Sequence, residues 1–208
     1  MIEYETSSVI NSPEELRTLY GEASARALIK ELDHVSPHYQ KFIEASPFVV
    51  VGSVGPEGLD TSPRGDPPGF VHVADSKTLL LPDRRGNNRA DTLMNIVRDP
   101  RVSLLFLIPG IGETLRVIGR AKIVVDKQLC QQFEMQGKLP RSVMVLAVDK
   151  VYFQCQKALT RSRLWQAEAQ VDRATLPTTG QMISALDQSF DGESYDRDYS
   201  EYQKQTIY

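Results

Sequence analysis

Between Phe48 and Cys155 the chain is a succession of short β-branched and apolar runs cut by turn residues, and that density of strands restricts the fold more than any other feature. Phe48-Val49-Val50-Val51 opens the series. Gly55-Pro56-Glu57-Gly58 then places proline and glycines where a hairpin turn wants them, and Leu59–Ser62 pairs back. Further strands are expected over Phe70–Val73, Thr78–Leu81, Arg101–Ile108, Thr114–Val125, Ser142–Val148 and Val151–Cys155, with Asp75-Ser76-Lys77 and Pro109-Gly110-Ile111-Gly112 between them as turns. Such a run of short strands reads as a barrel or a sandwich.

Two helices interrupt the strands. One is expected from Asn88 to Val97 with Leu93, Ile96 and Val97 buried, the other from Asp126, an N-cap residue, to Gln136 with Gly137 ending it. Both read as lids on the barrel ends. Ahead of the strands the pattern is helical. Ser12-Pro13-Glu14-Glu15 combines an N-cap serine, proline at the first helical position and a glutamate to close a capping box, and Gly21 stops the segment. Ala23, Ala27, Leu28 and Leu32 follow at helical spacing, and Ser36-Pro37 starts another helix through Phe42 and Ile43. Beyond Trp165 the strand signals vanish, leaving a short helix at Met182–Leu186 and an acidic, tyrosine-rich stretch from Asp191 to Tyr202. The expected organisation is a helical lead-in over 1–45, a barrel over 46–165 and a polar arm or tail over 166–208, ordered by packing on the barrel or on a partner subunit. No repeat shows at periods of 20 to 50 residues.

Composition narrows the function classes. The 208 residues are 41% hydrophobic and 25% charged, as for one ordinary globular unit, and the net charge of −3 gives no overall attraction to nucleic acid or to an anionic membrane. Two cysteines, Cys130 and Cys155, fit a reducing compartment and cannot form a four-thiolate zinc site. Met1–Thr6 has neither the basic nor the apolar character of a leader, and the longest apolar run, Val102–Ile108, is far short of the roughly 20 residues that span a membrane. The expected location is the cytoplasm.

Two segments carry candidate chemistry. In Leu81-Pro-Asp-Arg-Arg-Gly-Asn-Asn-Arg-Ala-Asp-Thr-Leu93, a strand end and a glycine-containing loop lead into a helix. Free N–H groups there, with Arg84, Arg85 and Arg89, suit a phosphate dianion. The same arginines suit a solvated loop paired with Asp83, Asp91 and Asp99. In Asp60-Thr-Ser-Pro-Arg-Gly-Asp-Pro-Pro-Gly-Phe70 a strand ends in Arg64. Three prolines stiffen the loop that follows, and small residues, Ser62, Gly65 and Gly69, let backbone approach a flat ring, but the segment by itself favours a rigid crossover loop without a ligand.

Other signals fail on inspection. Gly110-Ile-Gly112 is followed by a strand, so it is a hairpin turn and not a dinucleotide fingerprint. His34 and His38 have Pro37 between them and no acidic or cysteine partner at ligand spacing, so no metal site is expected. His72, Cys130 and Cys155 read as structural. No Gly-x-Ser-x-Gly elbow or HExxH helix is present.

Taken in order, the two segments, then Asp99-Pro-Arg-Val-Ser-Leu-Leu-Phe106 and Glu113-Thr-Leu-Arg-Val-Ile-Gly-Arg-Ala121, resemble the pyridoxamine 5′-phosphate oxidase-like flavin-binding split barrels over roughly residues 45–165. Ser62-Pro-Arg-Gly-Asp-Pro-Pro-Gly-Phe70, Gly86-Asn-Asn-Arg89 and Lys157-Ala-Leu-Thr-Arg-Ser-Arg-Leu-Trp165 resemble the subgroup of probable FMN-dependent enzymes of unknown substrate. The resemblance implies a mainly β (β plus α) fold, an antiparallel split β-barrel with N-terminal and peripheral helices. It also implies a homodimer with FMN at each of two clefts between subunits.

Carried over position by position, the resemblance makes Ser62 a cofactor contact, puts Arg64 near the FMN phosphate and gives Arg89 the phosphate at the helix start. Pro82 and Asp83 lie along the flavin. Asn88 stands where the family often has arginine, and Thr114 where it has a glutamine bonded to the flavin ring; both are shorter than their counterparts, and Arg116 shares a strand face with Thr114 by alternation. The Arg-Leu-His-type motif of true pyridoxamine phosphate oxidases is missing, since every histidine lies at or before His72. The expected function is an FMN-dependent oxidoreductase whose cofactor exchanges hydride with a small-molecule substrate or a nicotinamide donor, with no catalytic side chain. The rival expectations are a flavin carrier or sensor without catalysis and a relative using deazaflavin or haem.

Overall fold

The computed structural model describes residues 5–208. Met1–Tyr4, part of the stretch in which no leader was expected, lie outside the described residues. Contacts divide the chain into two units, Met1–Glu31 and Leu32–Tyr208.

The first unit holds a 3-10 turn at Thr6–Ser8 and two short helices, α1 (Pro13–Tyr20) and α2 (Ala25–Ile29). Ser12 caps α1 as its sequence requires, accepting the Glu15 N–H at 3.1 Å, and Pro13 occupies the first turn where its missing N–H costs nothing. The box itself does not close. The Glu15 carboxylate reaches one residue too far and takes the Asn11 N–H at 2.8 Å. Gly21 ends α1 at φ 73°, a value that favours glycine.

The second unit begins ahead of α3 (Pro37–Ala45), again capped by a Ser-Pro pair, with Ser36 accepting the Tyr39 N–H at 3.3 Å. Seven strands follow: β1 (Phe48–Gly55), β2 (Gly58–Gly65), β3 (His72–Asp75), β4 (Thr78–Pro82), β5 (Arg101–Leu107), β6 (Thr114–Val124) and β7 (Val143–Gln154). They form one antiparallel sheet in the order β2-β1-β5-β6-β7-β4-β3, the split barrel that was expected. β1 and β2 meet through the expected hairpin, with Gly55 opposite Gly58 at φ 126°.

Strand alternation builds the core. Val49 and Val51 on β1, Leu104 and Phe106 on β5, and Leu115 and Val117 on β6 all point inward and are fully buried with Leu79, Leu146, Val151 and Ile43 of α3. Each such side chain stabilises the fold by about 1.5–3 kcal/mol relative to exposure.

Several boundaries differ from the sequence reading, among them the strand expected over Phe70–Val73, which is β3, displaced to His72–Asp75. Ser142–Val148 and Val151–Cys155 are one strand, because Asp149 is an extra residue accommodated by a bulge: Ile118 pairs Lys150 while Gly119 pairs Val148. The helix expected from Asn88 is α4 (Asp91–Arg98), since Asn88 and Ala90 hold left-handed φ values of 62° and 56°. The helix expected to reach Gln136 is only α5 (Lys127–Gln131), after which Gln136 and Gly137, at φ 52° and 75°, turn the chain so that Met135 bridges Lys138.

After β7 come α6 (Lys157–Ser162), α7 (Thr179–Leu186) and α8 (Gly192–Thr206). α7 carries a full capping box between Thr178 and Gln181. Gly180 and Gly192 let α7 and α8 meet closely; a Cβ on Gly180 would lie 2.2 Å from the Gly192 carbonyl oxygen. The Asp196 carboxylate accepts the Gly180 N–H at 2.9 Å, and Tyr195, Tyr199 and Tyr202 stack along α8 at 5.4 and 6.4 Å.

Candidate functional site

β2 ends in Arg64, β4 ends in Pro82 and Asp83, and the loop after β4 leads into α4. These three features, with the approach to β7 and Tyr208, enclose a cleft of about 910 Å³. That is within the range of a cofactor-sized site. Six cationic side chains line it, Arg64, Arg84, Arg85, Arg89, Lys138 and Arg141, against three carboxylates, Asp60, Asp83 and Asp91. The excess of positive charge is local, in a chain whose net charge is −3.

The start of α4 is the centre of this excess. Its N-cap position is Ala90, whose side chain offers no acceptor, so no side chain caps the first-turn N–H groups. An anion is the natural complement to such an end. Arg89 stands beside it with Nε on the Asp91 carboxylate at 2.8 Å, the arginine largely exposed and the carboxylate partly so. A pair this wet holds its arginine weakly, so Arg89 is free to turn to a dianion. Arg85 is exposed and makes no hydrogen bond or ion pair among the described residues.

Other cations are held in place. Arg64 Nη1 donates to the Pro63 carbonyl at 2.9 Å and to the Ser62 hydroxyl. Arg141 donates to Asn88 Oδ1 at 3.1 Å, so the Asn88 amide is engaged from across the cleft. Asp83 joins strand and loop, its N–H on the Ser142 carbonyl at 2.9 Å. Burial pushes the Asp83 carboxyl above its ordinary value, against the pull of Arg64 and Arg141. The most enclosed group is Asp66. Its side chain is fully buried, accepting Arg84 Nε at 2.6 Å on one oxygen and the Tyr208 hydroxyl at 2.7 Å on the other.

Ser62, Arg64, Pro82, Asp83, Asn88 and Arg89 therefore share one cleft. Thr114 and Arg116 do not line it. As alternation required, both lie on the outer face of β6 around the inward Leu115, where Thr114 faces Gln154 at 3.4 Å and Arg116 donates to the Tyr152 hydroxyl at 3.0 Å. Sequence reasoning missed Lys138, Arg141 and Tyr208. Lys138 and Arg141 flank Pro140 in a linker without a motif, and nothing local ties Tyr208 to a loop 142 residues away. Among the described residues no group of three His, Cys, Asp or Glu side chains could hold a metal ion, and no helix is long and apolar enough to cross a membrane.

An antiparallel split barrel with a cation-lined cleft at a helix start defines the class. The family model of pyridoxamine 5′-phosphate oxidase matches residues 35–155, more than half of the 208, and the chain belongs to that family. No curated protein matches the sequence. Among solved structures, HupZ from Group A Streptococcus is 16% identical with a TM-score of 0.47, covering 56% of this chain and 91% of its own. A Lactobacillus delbrueckii protein described as a pyridoxamine 5′-phosphate oxidase is 19% identical with a TM-score of 0.46, over 59% of this chain and 98% of its own. A structure described as an F420 reductase is 17% identical with a TM-score of 0.41, over 58% and 98%.

Proposed function

We propose that the chain binds FMN in this cleft and acts as an oxidoreductase on a small-molecule substrate or with a nicotinamide donor, as a homodimer in the cytoplasm. The observation that carries this reading is the uncapped start of α4 with Arg89 beside it and Arg64 across the cleft. That donor set fits a phosphate monoester: backbone N–H groups, a loosely held guanidinium and a second one fixed by Ser62 and Pro63.

Arg89 would leave Asp91 to take the phosphate, and Arg64 would hold it from across the cleft. Arg141 holds Asn88, which keeps the loop before α4 in its left-handed turn. Bound FMN would supply the hydride chemistry, so no side chain of the chain need act as nucleophile or base. Pro82 and Asp83, which line the same cleft, would hold the flat part of the ligand. Thr114 and Arg116, off the cleft in one chain, would serve a flavin only from a second copy, which is why the reading includes a homodimer.

The test is the absorbance spectrum of the purified protein, followed by titration with FMN. A yellow protein, or a colourless one that takes up FMN stoichiometrically, supports the reading; a colourless one that takes up none overturns it. Anaerobic mixing with NADH and NADPH then distinguishes an enzyme, whose flavin bleaches, from a carrier, whose flavin does not. Light scattering on the eluting protein reports the dimer.

A further inference from the structure

We propose that Tyr208 is a ligand-contacting wall of the cleft, and that α7 and α8 form a strap that seats it there. The proposal rests on the reading of the cleft as an FMN site.

Phe70 and Tyr208 are the aromatic residues among those lining the cleft. Phe70 is only 7% exposed and belongs to the barrel core, whereas Tyr208 is half-buried. Tyr208 thus supplies the accessible aromatic surface of a site otherwise made of cations, amides and small residues. A ligand with a phosphate at one end and a flat ring system at the other needs both kinds of surface.

Tyr208 is fixed at both its ends. Its hydroxyl donates to the buried Asp66 at 2.7 Å, its ring lies under the Arg84 guanidinium at 5.6 Å, and its backbone oxygen accepts from Lys138 Nζ at 2.8 Å. Arg84 is itself anchored, with Nη1 on the Phe133 carbonyl at 2.6 Å. Without Tyr208 one oxygen of a buried carboxylate would lack the donor such groups require, so seating the strap completes the polar wall. The close Gly180–Gly192 contact joins α7 to α8, and the tyrosines stacked along α8 line the helix that leads to Tyr208.

The experiment compares FMN binding to the full-length wild type, Tyr208→Ala and Tyr208→Phe, read by dissociation rate and by the fluorescence of the bound flavin. Tyr208→Ala is expected to release FMN on the order of tenfold faster, as for loss of an aromatic contact. Its bound flavin should also fluoresce more brightly, because a tyrosine against the ring quenches it; a residue acting only on the fold would not change that signal. Tyr208→Phe keeps the ring and loses the tether to Asp66, so its release rate should fall between the two. Wild-type release and fluorescence in Tyr208→Ala would overturn the proposal alone. Tighter binding in Tyr208→Ala would also overturn it, making Tyr208 a plug displaced by ligand. A wild type that takes up no FMN sinks this proposal and the reading beneath it together.

Discussion

Asp66 and Tyr208, separated by 142 positions in the chain, share a hydrogen bond of 2.7 Å, and Arg84 completes the set from the other oxygen of the same carboxylate. Removing the carboxylate strands a cation that is only 17% exposed, whereas removing the phenol hydroxyl leaves the ion pair intact. Asp66→Ala should therefore cost about 3 kcal/mol, as for a broken buried pair, and Tyr208→Phe only about 1 kcal/mol, as for one hydrogen bond. Urea unfolding of the two variants checks the order. The pH dependence follows from the phenol. Its hydrogen bond to Asp66, then burial, raises the Tyr208 pKa above its ordinary value of 10.0, with Arg84 opposing. A raised folded-state value means that the contribution is complete below the unfolded pKa and is lost as pH rises through the folded one.

Ser53 on β1 and Asn95 on α4 are both buried, and the Asn95 amide donates to the Ser53 hydroxyl at 3.1 Å. This bond fixes the roll of the helix whose start forms the candidate phosphate site. Ser53→Ala leaves a buried donor without its partner and should cost about 1–3 kcal/mol. Thermal unfolding reports the loss, and a weaker uptake of FMN by the folded fraction would show that α4 is positioned through this contact.

Where local chemistry decides the structure, the sequence was legible. The Ser12-Pro13 and Ser36-Pro37 starts, the Gly55–Gly58 hairpin and the alternation of β5 and β6 each follow from a few adjacent residues. Structure and local pattern part where a neighbour distant in the chain decides. Asp149-Lys150 looked like a break between strands because the bulge that absorbs Asp149 is made by β6. The pattern from Asn88 onward reads as helix, yet Asn88 and Ala90 take left-handed φ values, so α4 starts only at Asp91. Tyr195, Tyr199 and Tyr202 stand at helical spacing, yet their acidic surroundings hid α8, which is held by Gly180, Asp196 and its stacked rings and not by a broad apolar face. For the site, the residues on β2 and around α4 converge, while alternation correctly put Thr114 and Arg116 on one face of β6 without telling which surface that face meets.

Gly119 sits at the bulge between β6 and β7, where an added Cβ would lie 2.1 Å from the Ala147 carbonyl oxygen. That neighbour is backbone in the centre of the sheet and cannot swing aside. Gly119→Ala should destabilise the barrel by about 1–3 kcal/mol or prevent folding, as overpacking does. Gly137→Ala, with open space around it, tests a different cost, that of φ 75° for a side-chain-bearing residue, and should lose about 1 kcal/mol. Chemical denaturation of the two variants separates steric from conformational strain.

Asp99 accepts from Arg101 through both its oxygens and through the Arg101 backbone N–H, and its pKa falls from 3.8 to about 2, chiefly by the side-chain hydrogen bond. A depressed folded-state value makes this contribution present above the unfolded pKa and lost as pH drops from 3.8 toward 2. Because the pair is open to solvent, salt should screen it. Arg101→Ala should return the Asp99 titration toward 3.8 in carboxyl-resolved NMR, and raised ionic strength should move the wild type in the same direction.

Arg89 and Arg64 make separable demands on an anion. Arg89 is loosely paired with Asp91, so Arg89→Ala sacrifices little in the protein without ligand and should weaken FMN binding by about 1.5–3 kcal/mol, the worth of a charge-assisted hydrogen bond. Arg64 is already bound to Ser62 and Pro63 and is half-buried. Arg64→Ala should therefore weaken FMN and also loosen the end of β2, lowering the melting temperature where Arg89→Ala does not. Calorimetric titration with FMN and, in parallel, with riboflavin decides whether the phosphate is the group concerned. If it is, Arg89→Ala reduces FMN affinity and leaves riboflavin affinity unchanged; equal losses for both ligands would place the phosphate elsewhere.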